Sequence, residues 1–83
     1  MHELTKAGRQ WVDRHVGANL RRLRLERNLT QQILADRLEV SYQQLQKYER
    51  GTNRLSASTI YDLSWILEVP ITAFFEGLDI DPR

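Results

Sequence analysis

The sequence predicts an all-α fold, and three observations support this class. Apolar residues recur at spacings of three and four along most of the chain, which is the period of one face of a helix. Only two prolines and four glycines interrupt the 83 residues. Serine, threonine and aspartate, which cap helix N-termini, precede several of the apolar stretches. We therefore expect a compact domain of five helices.

Length and composition narrow the class of protein. Eighty-three residues form one domain, and a hydrophobic content of 41% suffices for one modest core. The absence of cysteine excludes disulfide frameworks and thiolate zinc sites. The first residues lack the apolar run of a secretion signal, and no stretch is long and apolar enough to span a bilayer. We expect a soluble, cytoplasmic protein that does not enter a membrane.

The charges are distributed unevenly along the chain. Residues 1–56 hold eleven Lys and Arg against six Asp and Glu, whereas residues 57–83 hold one against five. The two parts therefore carry formal charges of +5 and −4. This split is compatible with a front part that faces an anionic partner, and equally with ordinary solvated helix faces.

The first predicted helix covers residues 13–27. Its inner stripe consists of Val16, Leu20, Leu23 and Arg24, with Leu25 beside it. Asp13 is a suitable N-cap, and Asn28 can take the left-handed conformation that ends a helix. Residues 1–12 are predicted to form either an N-terminal arm or an extension of this helix.

Two short helices joined by a tight turn follow. Thr30 would cap the first, residues 31–38. Ser41 would cap the second, residues 42–50, and Gly51 would end it in the left-handed conformation that glycine permits. The predicted inner face of the pair consists of Leu34, Ala35, Leu38, Val40, Leu45 and Tyr48. Alanine matters at position 35, because two helices that cross closely need a small side chain at the contact.

The last predicted elements are a fourth helix and a short fifth one. Ser56 would cap the fourth helix, which runs to about Leu67, and Pro70 breaks the chain after it. The inner stripe of this helix consists of Ile60, Leu63, Ser64 and Leu67. Residues 71–76 would form the fifth. The predicted organisation is therefore in three parts: residues 1–12, the helical domain 13–76 and a tail, 77–83.

The second of the two short helices has a polar outward face. Its residues are Tyr42, Gln43, Gln46, Lys47 and Arg50. Long amide and cationic side chains can reach base edges in the major groove of DNA, where Gln suits adenine and Lys suits guanine. Taken alone, such residues are more often solvated helix surface, and it is their place after a tight helix–turn–helix that favours contact with DNA.

Five groups of residues match the pattern of one family. They are Leu29-Thr30-Gln31, Leu34-Ala35, Val40-Ser41, Tyr48-Glu49-Arg50-Gly51 and Leu63…Leu67-Glu68-Val69-Pro70. With these residues the chain, from about residue 16 to residue 76, resembles the Cro/repressor-type (lambda-repressor-like, Xre-type) helix-turn-helix regulators of phages and bacteria. The resemblance implies a compact five-helix lambda-repressor-like DNA-binding domain with its helix-turn-helix at helices 2 and 3.

The resemblance also implies roles for individual residues. Tyr42, Gln43 and Lys47 would contact bases, with Gln44 and Gln46 beside them. The residues expected to contact DNA phosphates are Gln31, Arg50, Asn53 and Arg54. Arg24 and Glu49 match a partly buried ion pair that joins the first and third helices, and its role would be structural.

Two positions depart from the family pattern. Glu39 stands at the turn where glycine is usual, and Asn28 stands at a helix end where glycine is usual. Asparagine tolerates a positive φ angle fairly well, whereas glutamate does so less readily. We expect Glu39 to cost some stability or to mark a slightly different turn.

A few apolar side chains fall outside the predicted inner stripes. Trp65 and Ile66 point partly outward on the fourth helix, and the last helix or the region around Trp11 could cover them. Alternatively they form a dimer interface together with Phe75, Leu78 and Ile80. We favour the interface, because one recognition helix rarely gives enough affinity for DNA by itself.

The sequence thus predicts a homodimeric transcriptional regulator that binds double-stranded DNA at a roughly palindromic operator, with no cofactor and no small-molecule ligand. Alternatives are a restriction–modification controller or the antitoxin of a toxin–antitoxin pair. A third is a protein-interaction module that has kept the fold and lost DNA binding. The histidines, His2 and His15, have no ligands at metal-binding spacing, and nothing indicates an enzyme.

Overall fold

The computed structural model describes residues 5–78, which form four α-helices and a short 3-10 helix. The elements are α1 (Lys6–Glu26), α2 (Gln31–Leu38), α3 (Tyr42–Arg50), α4 (Ala57–Leu67) and the 3-10 helix Ile71–Phe75. No strand occurs between residues 5 and 78. The all-α class is confirmed, whereas the count of five helices is not.

The first helix begins seven residues earlier than predicted. The hydroxyl of Thr5 accepts a hydrogen bond from the backbone N–H of Gly8 at 3.0 Å, and the helix continues without a break to Glu26. The prediction that Asp13 is an N-cap is therefore wrong. Residues 6–12 contain neither proline nor a β-branched run, so nothing in them breaks a helix. Residues 6–12 extend α1, and residues 1–4 lie outside the described part.

The other three caps form as predicted. The side chains of Thr30, Ser41 and Ser56 each accept a hydrogen bond from the backbone N–H three residues later, at 3.1, 2.9 and 3.2 Å. Each such cap satisfies a donor that the helix leaves free and contributes about 1 kcal/mol of stability. These caps fix the starts of α2, α3 and α4.

Left-handed residues end the helices or follow directly after them. Asn28 and Gly51 have φ angles of 56° and 76°, as their residue types predict. Glu39 has a φ of 61°, so the turn between α2 and α3 keeps the conformation that glycine favours. Glu68, with a φ of 56°, ends α4 in the same way, although its residue type does not predict this conformation.

One core of buried apolar side chains holds the helices together. Its members are Val16, Leu20, Leu23, Leu34, Ala35, Leu45, Leu55, Ile60, Leu63, Leu67 and Phe74. Within it α1 packs on α3 and on the 3-10 helix, and α2 packs on α3 and α4. The predicted inner stripes of the helices supply most of this core. Leu38, Val40 and Tyr48 pack against its edge and are only partly buried.

The segment predicted as a fifth α-helix forms a 3-10 helix of five residues. Pro70 precedes it and supplies no side-chain cap, and such short segments commonly take 3-10 geometry. Asn19 of α1 holds its end, because Nδ2 donates to the carbonyl oxygens of Phe74 and Glu76, both at 2.9 Å. Among residues 5–78, no helix has the length and apolar character needed to cross a membrane.

Candidate nucleic-acid interface

The outward face of α3 presents long polar side chains to solvent. Gln43, Lys47 and Arg50 are exposed, whereas Leu45 and Glu49 on the opposite face are buried. Both ends of α3 are fixed, by the Ser41 cap and by the left-handed Gly51. The helix is therefore a rigid support for a row of side chains that make no side-chain hydrogen bond within residues 5–78.

The neighbours of this row are held by hydrogen bonds. Gln46 donates from Nε2 to the hydroxyl oxygen of Tyr42 at 3.1 Å, one turn along α3. Asn53, just after the helix, donates from Nδ2 to Oε1 of Gln44 at 3.4 Å. Of the five residues predicted to contact bases, three thus have a partner within the protein, and Gln43 and Lys47 extend freely.

A buried ion pair joins α1 to α3. Arg24 donates from Nε to Oε2 of Glu49 at 2.6 Å and from Nη2 to Oε1 at 3.1 Å. Their side chains are only 7% and 3% exposed. Removing either partner would leave a buried charge uncompensated, which costs about 3–5 kcal/mol. The structure thus brings together the two residues for which the sequence predicted an ion pair.

The same carboxylate also orients Gln31. Oε1 of Glu49 accepts a hydrogen bond from Nε2 of Gln31 at 2.9 Å. Gln31 lies in the first turn of α2, where free backbone N–H groups and the helix dipole favour an anion. Its amide uses one N–H on Glu49 and keeps the second, so a contact with a phosphate remains geometrically open.

Gly17 permits the close approach of α1 to α3, a role that the sequence pattern does not predict. A Cβ atom at this position would lie 2.4 Å from the carbonyl oxygen of Tyr48 and 2.7 Å from that of Glu49. Real Cβ atoms essentially never approach backbone oxygens so closely. Glycine within a helix weakens it, and here the loss allows the end of α3 to pack directly on α1.

Asp13 is a second residue whose role is not predicted by the sequence pattern. Arg54 donates from Nε to Oδ1 and Oδ2 of Asp13 at 3.1 and 3.2 Å, and its Nη2 lies 3.1 Å from Oδ2. This hydrogen bond, followed by the charge of the carboxylate, raises the pKa of Arg54. Asp13 therefore does not cap a helix but ties α1 to the loop after α3.

Trp65 and Phe75, both predicted for the dimer interface, line separate surface depressions. Trp65 is 71% exposed and lines a surface depression with Val69 and Ile71. Phe75 lines a different one, with Val12 and Leu55, and the two depressions share no residue. Ile66 and Leu78 are partly buried against the core, and Ile80 lies outside the described residues.

Comparison with known protein families shows which family this chain belongs to. The model of a family described as helix-turn-helix matches residues 20–74, which include all of α2, α3 and α4. The chain belongs to the Xre-type helix-turn-helix family of transcriptional regulators. The predicted family is thereby confirmed.

Two curated relatives carry names of the same kind. An uncharacterized transcriptional regulator in the ATPase CF(0) region of Rhodospirillum rubrum is 53% identical over 73 residues, covering 87% of this chain and 68% of the relative. An uncharacterized HTH-type transcriptional regulator of Sinorhizobium medicae (strain WSM419) is 45% identical over 65 residues, covering 78% and 47%. The chain thus spans between about half and two thirds of the length of these relatives.

A solved structure shares the fold. The crystal structure of the clp gene regulator ClgR from C. glutamicum superposes with a TM-score of 0.74, over 84% of this chain and 96% of that one. The sequence identity is 22%, so the likeness concerns the arrangement of helices alone.

Proposed function

We propose that this regulator binds double-stranded DNA by placing α3 in the major groove, as a homodimer on a short, roughly palindromic operator. The observation that supports it most is the row of Gln43, Lys47 and Arg50 along the exposed face of α3. These side chains project from a helix that is capped at both ends and packed on α1.

In this proposal the free side chains of α3 select the sequence. Gln43 can make paired hydrogen bonds to adenine, and Lys47 can donate to the acceptors of guanine. Each good contact of this kind contributes about 1–3 kcal/mol of discrimination between bases. Tyr42, held by Gln46 at 3.1 Å, would contact a thymine methyl group or a base edge beside them, with Gln44 and Gln46 flanking the contact.

Residues around α3 would hold the DNA backbone. Gln31 offers its second amide N–H at the N-terminus of α2, and Asn53 extends from the loop after α3. Arg50, at the end of α3, and Arg54, in the loop after it, are exposed and supply positive charge. Such contacts set the register of the protein on the duplex without selecting a sequence. None of them needs a cofactor, and the regulator would act in the cytoplasm, where bacterial DNA lies.

A dimer would double these contacts. A two-fold axis places two recognition helices about 34 Å apart, which is one turn of DNA. Among the residues predicted for the interface, Trp65 is the most exposed, and we propose that it lies at the centre. Three other residues would add contacts only if the partner protomer extends beyond Trp65: the partly buried Ile66 and Leu78 and the exposed Phe75.

Selection of bound duplexes from a random pool tests the proposal. We expect a short consensus with two related half-sites about 10 base pairs apart, because each protomer would contact one major groove on the same side of DNA. Binding should weaken with salt, with a slope of log K against log salt of about −2 per protomer from Arg50 and Arg54. Recovery of unrelated sequences together with binding that is insensitive to salt would contradict DNA recognition.

A further inference from the structure

We propose that Asp13 is a positioning residue for DNA binding, holding the Arg54 guanidinium in the orientation in which it meets a phosphate. This inference rests on the proposed function, since it concerns how one of the DNA-facing cations is prepared. Asp13 itself would not touch DNA.

The geometry of the pair leaves one edge of the guanidinium free. Nε and Nη2 of Arg54 face the carboxylate of Asp13 at 3.1–3.2 Å. Nη1 makes no hydrogen bond within residues 5–78. The side chain of Arg54 is 62% exposed while that of Asp13 is 17% exposed, so the cation remains accessible to a ligand and the carboxylate is mostly buried.

The carboxylate is held by a part of the fold that cannot move easily. Asp13 lies in the interior of α1, next to the point where α1 meets the end of α3. A Cβ at Gly51 would lie 2.5 Å from Cα of Arg14 and 2.8 Å from the carbonyl oxygen of Asp13, so backbone packs on backbone there. The contact between α1 and the end of α3 therefore fixes the position of α3 and, through Asp13, that of Arg54.

Two opposite effects follow from this arrangement. A free arginine loses rotamer freedom when it binds a phosphate, whereas a guanidinium already held by a carboxylate loses less. Its planar fork also suits the paired oxygens of a phosphate when its plane is set correctly. Against this, the negative charge of Asp13 reduces the attraction of Arg54 for DNA. We infer that the gain in order exceeds the loss in charge.

A cycle of four proteins tests this: wild type, Asp13→Asn, Arg54→Ala and the double variant. Affinity for the duplex selected from the random pool is measured at several salt concentrations. Urea unfolding is used to choose conditions under which all four proteins are folded. We expect Asp13→Asn to weaken binding about two- to tenfold, the cost of ordering one long side chain. In the Arg54→Ala background the same change should not weaken binding, because no guanidinium remains to be positioned and a negative charge near the DNA is removed. If the ion pair were merely structural, Asp13→Asn would change the free energy of unfolding, and its effect on DNA affinity would be the same with and without Arg54.

The outcomes separate this inference from the proposed function. If Asp13→Asn binds as tightly as wild type or tighter, or weakens binding equally with and without Arg54, the positioning role is overturned and DNA binding stands. If Arg54→Ala binds like wild type, the phosphate contact assigned to Arg54 fails, and the role of Asp13 fails with it. If the wild type shows no salt-dependent binding to any duplex, the proposed function itself is overturned.

Discussion

At the turn between α2 and α3, Glu39 takes a backbone conformation that glycine would take at lower cost. Its φ and ψ are 61° and 41°, and its side chain is exposed. The left-handed conformation costs an L-residue about 1–2 kcal/mol. The turn geometry is thus fixed by the packing of the two helices on either side, and the residue follows it.

Replacing Glu39 with glycine should stabilise the domain. We expect Glu39→Gly to raise the free energy of unfolding by about 1 kcal/mol, because the left-handed strain disappears. Urea denaturation measures it. The control, Ala18→Gly on the exposed side of α1, should lower stability by about 1 kcal/mol, since it adds glycine where the helix is regular. A loss of stability in Glu39→Gly would mean that the glutamate side chain contributes more than its backbone costs.

Single residues also show how far the sequence could predict the site. The polar face of α3 follows from helical periodicity, and the pairing of Arg24 with Glu49 followed from the family pattern. The link from Glu49 to Gln31 and the pair of Asp13 with Arg54 join residues 18 and 41 positions apart. Such contacts depend on how α1, α2 and α3 pack, which no local pattern encodes.

Among the elements, the capped helices were the most predictable. A serine or threonine before an apolar stretch acts within four residues, so the starts of α2, α3 and α4 were correct. The start of α1 was wrong because two residues, Thr5 and Asp13, are both suitable caps and periodicity is weak between them. The 3-10 helix was missed because its geometry reflects its shortness and its packing on α1.

The crossing of α1 and α3 should depend on the missing side chain of Gly17. Alanine favours a helix over glycine by about 1 kcal/mol, yet we expect Gly17→Ala to lower the free energy of unfolding by more than that. The added Cβ would lie within 2.4 Å of a backbone oxygen of α3 and force the helices apart. Thermal unfolding measures it, with Arg21→Ala on the exposed face of α1 as the control. Increased stability would show that the helices separate at no cost.

At the scale of the whole molecule, charge divides along the chain. The basic part, residues 1–56, contains α1, α2 and α3, and the acidic part contains α4 and the 3-10 helix. Trp65 and Tyr61 stand edge to face on α4 with ring centroids 6.3 Å apart, and both are exposed. This division is consistent with one part facing DNA and the other facing a second copy of the chain.

If the chain dimerises through Trp65, one substitution should change the molecular mass of the particle in solution. We expect Trp65→Glu to sediment as a monomer where wild type sediments as a dimer, because a charge would replace the most exposed aromatic side chain in the interface. Leu25→Glu, at an exposed apolar site on α1, is the matched control and should leave the mass unchanged. A dimer that survives Trp65→Glu would place the interface elsewhere.

The most direct test of the account is the affinity of Gln43→Ala and Lys47→Ala for the selected operator, compared with an unrelated duplex. Both side chains are exposed and make no hydrogen bond within residues 5–78, so unfolding should be unchanged. We expect each variant to lose about 1–3 kcal/mol on the operator and far less on the unrelated duplex. Thr72→Ala, at an exposed position of the 3-10 helix, serves as the control. Wild-type affinity for the operator in both variants would contradict the claim that the outward face of α3 selects the DNA sequence.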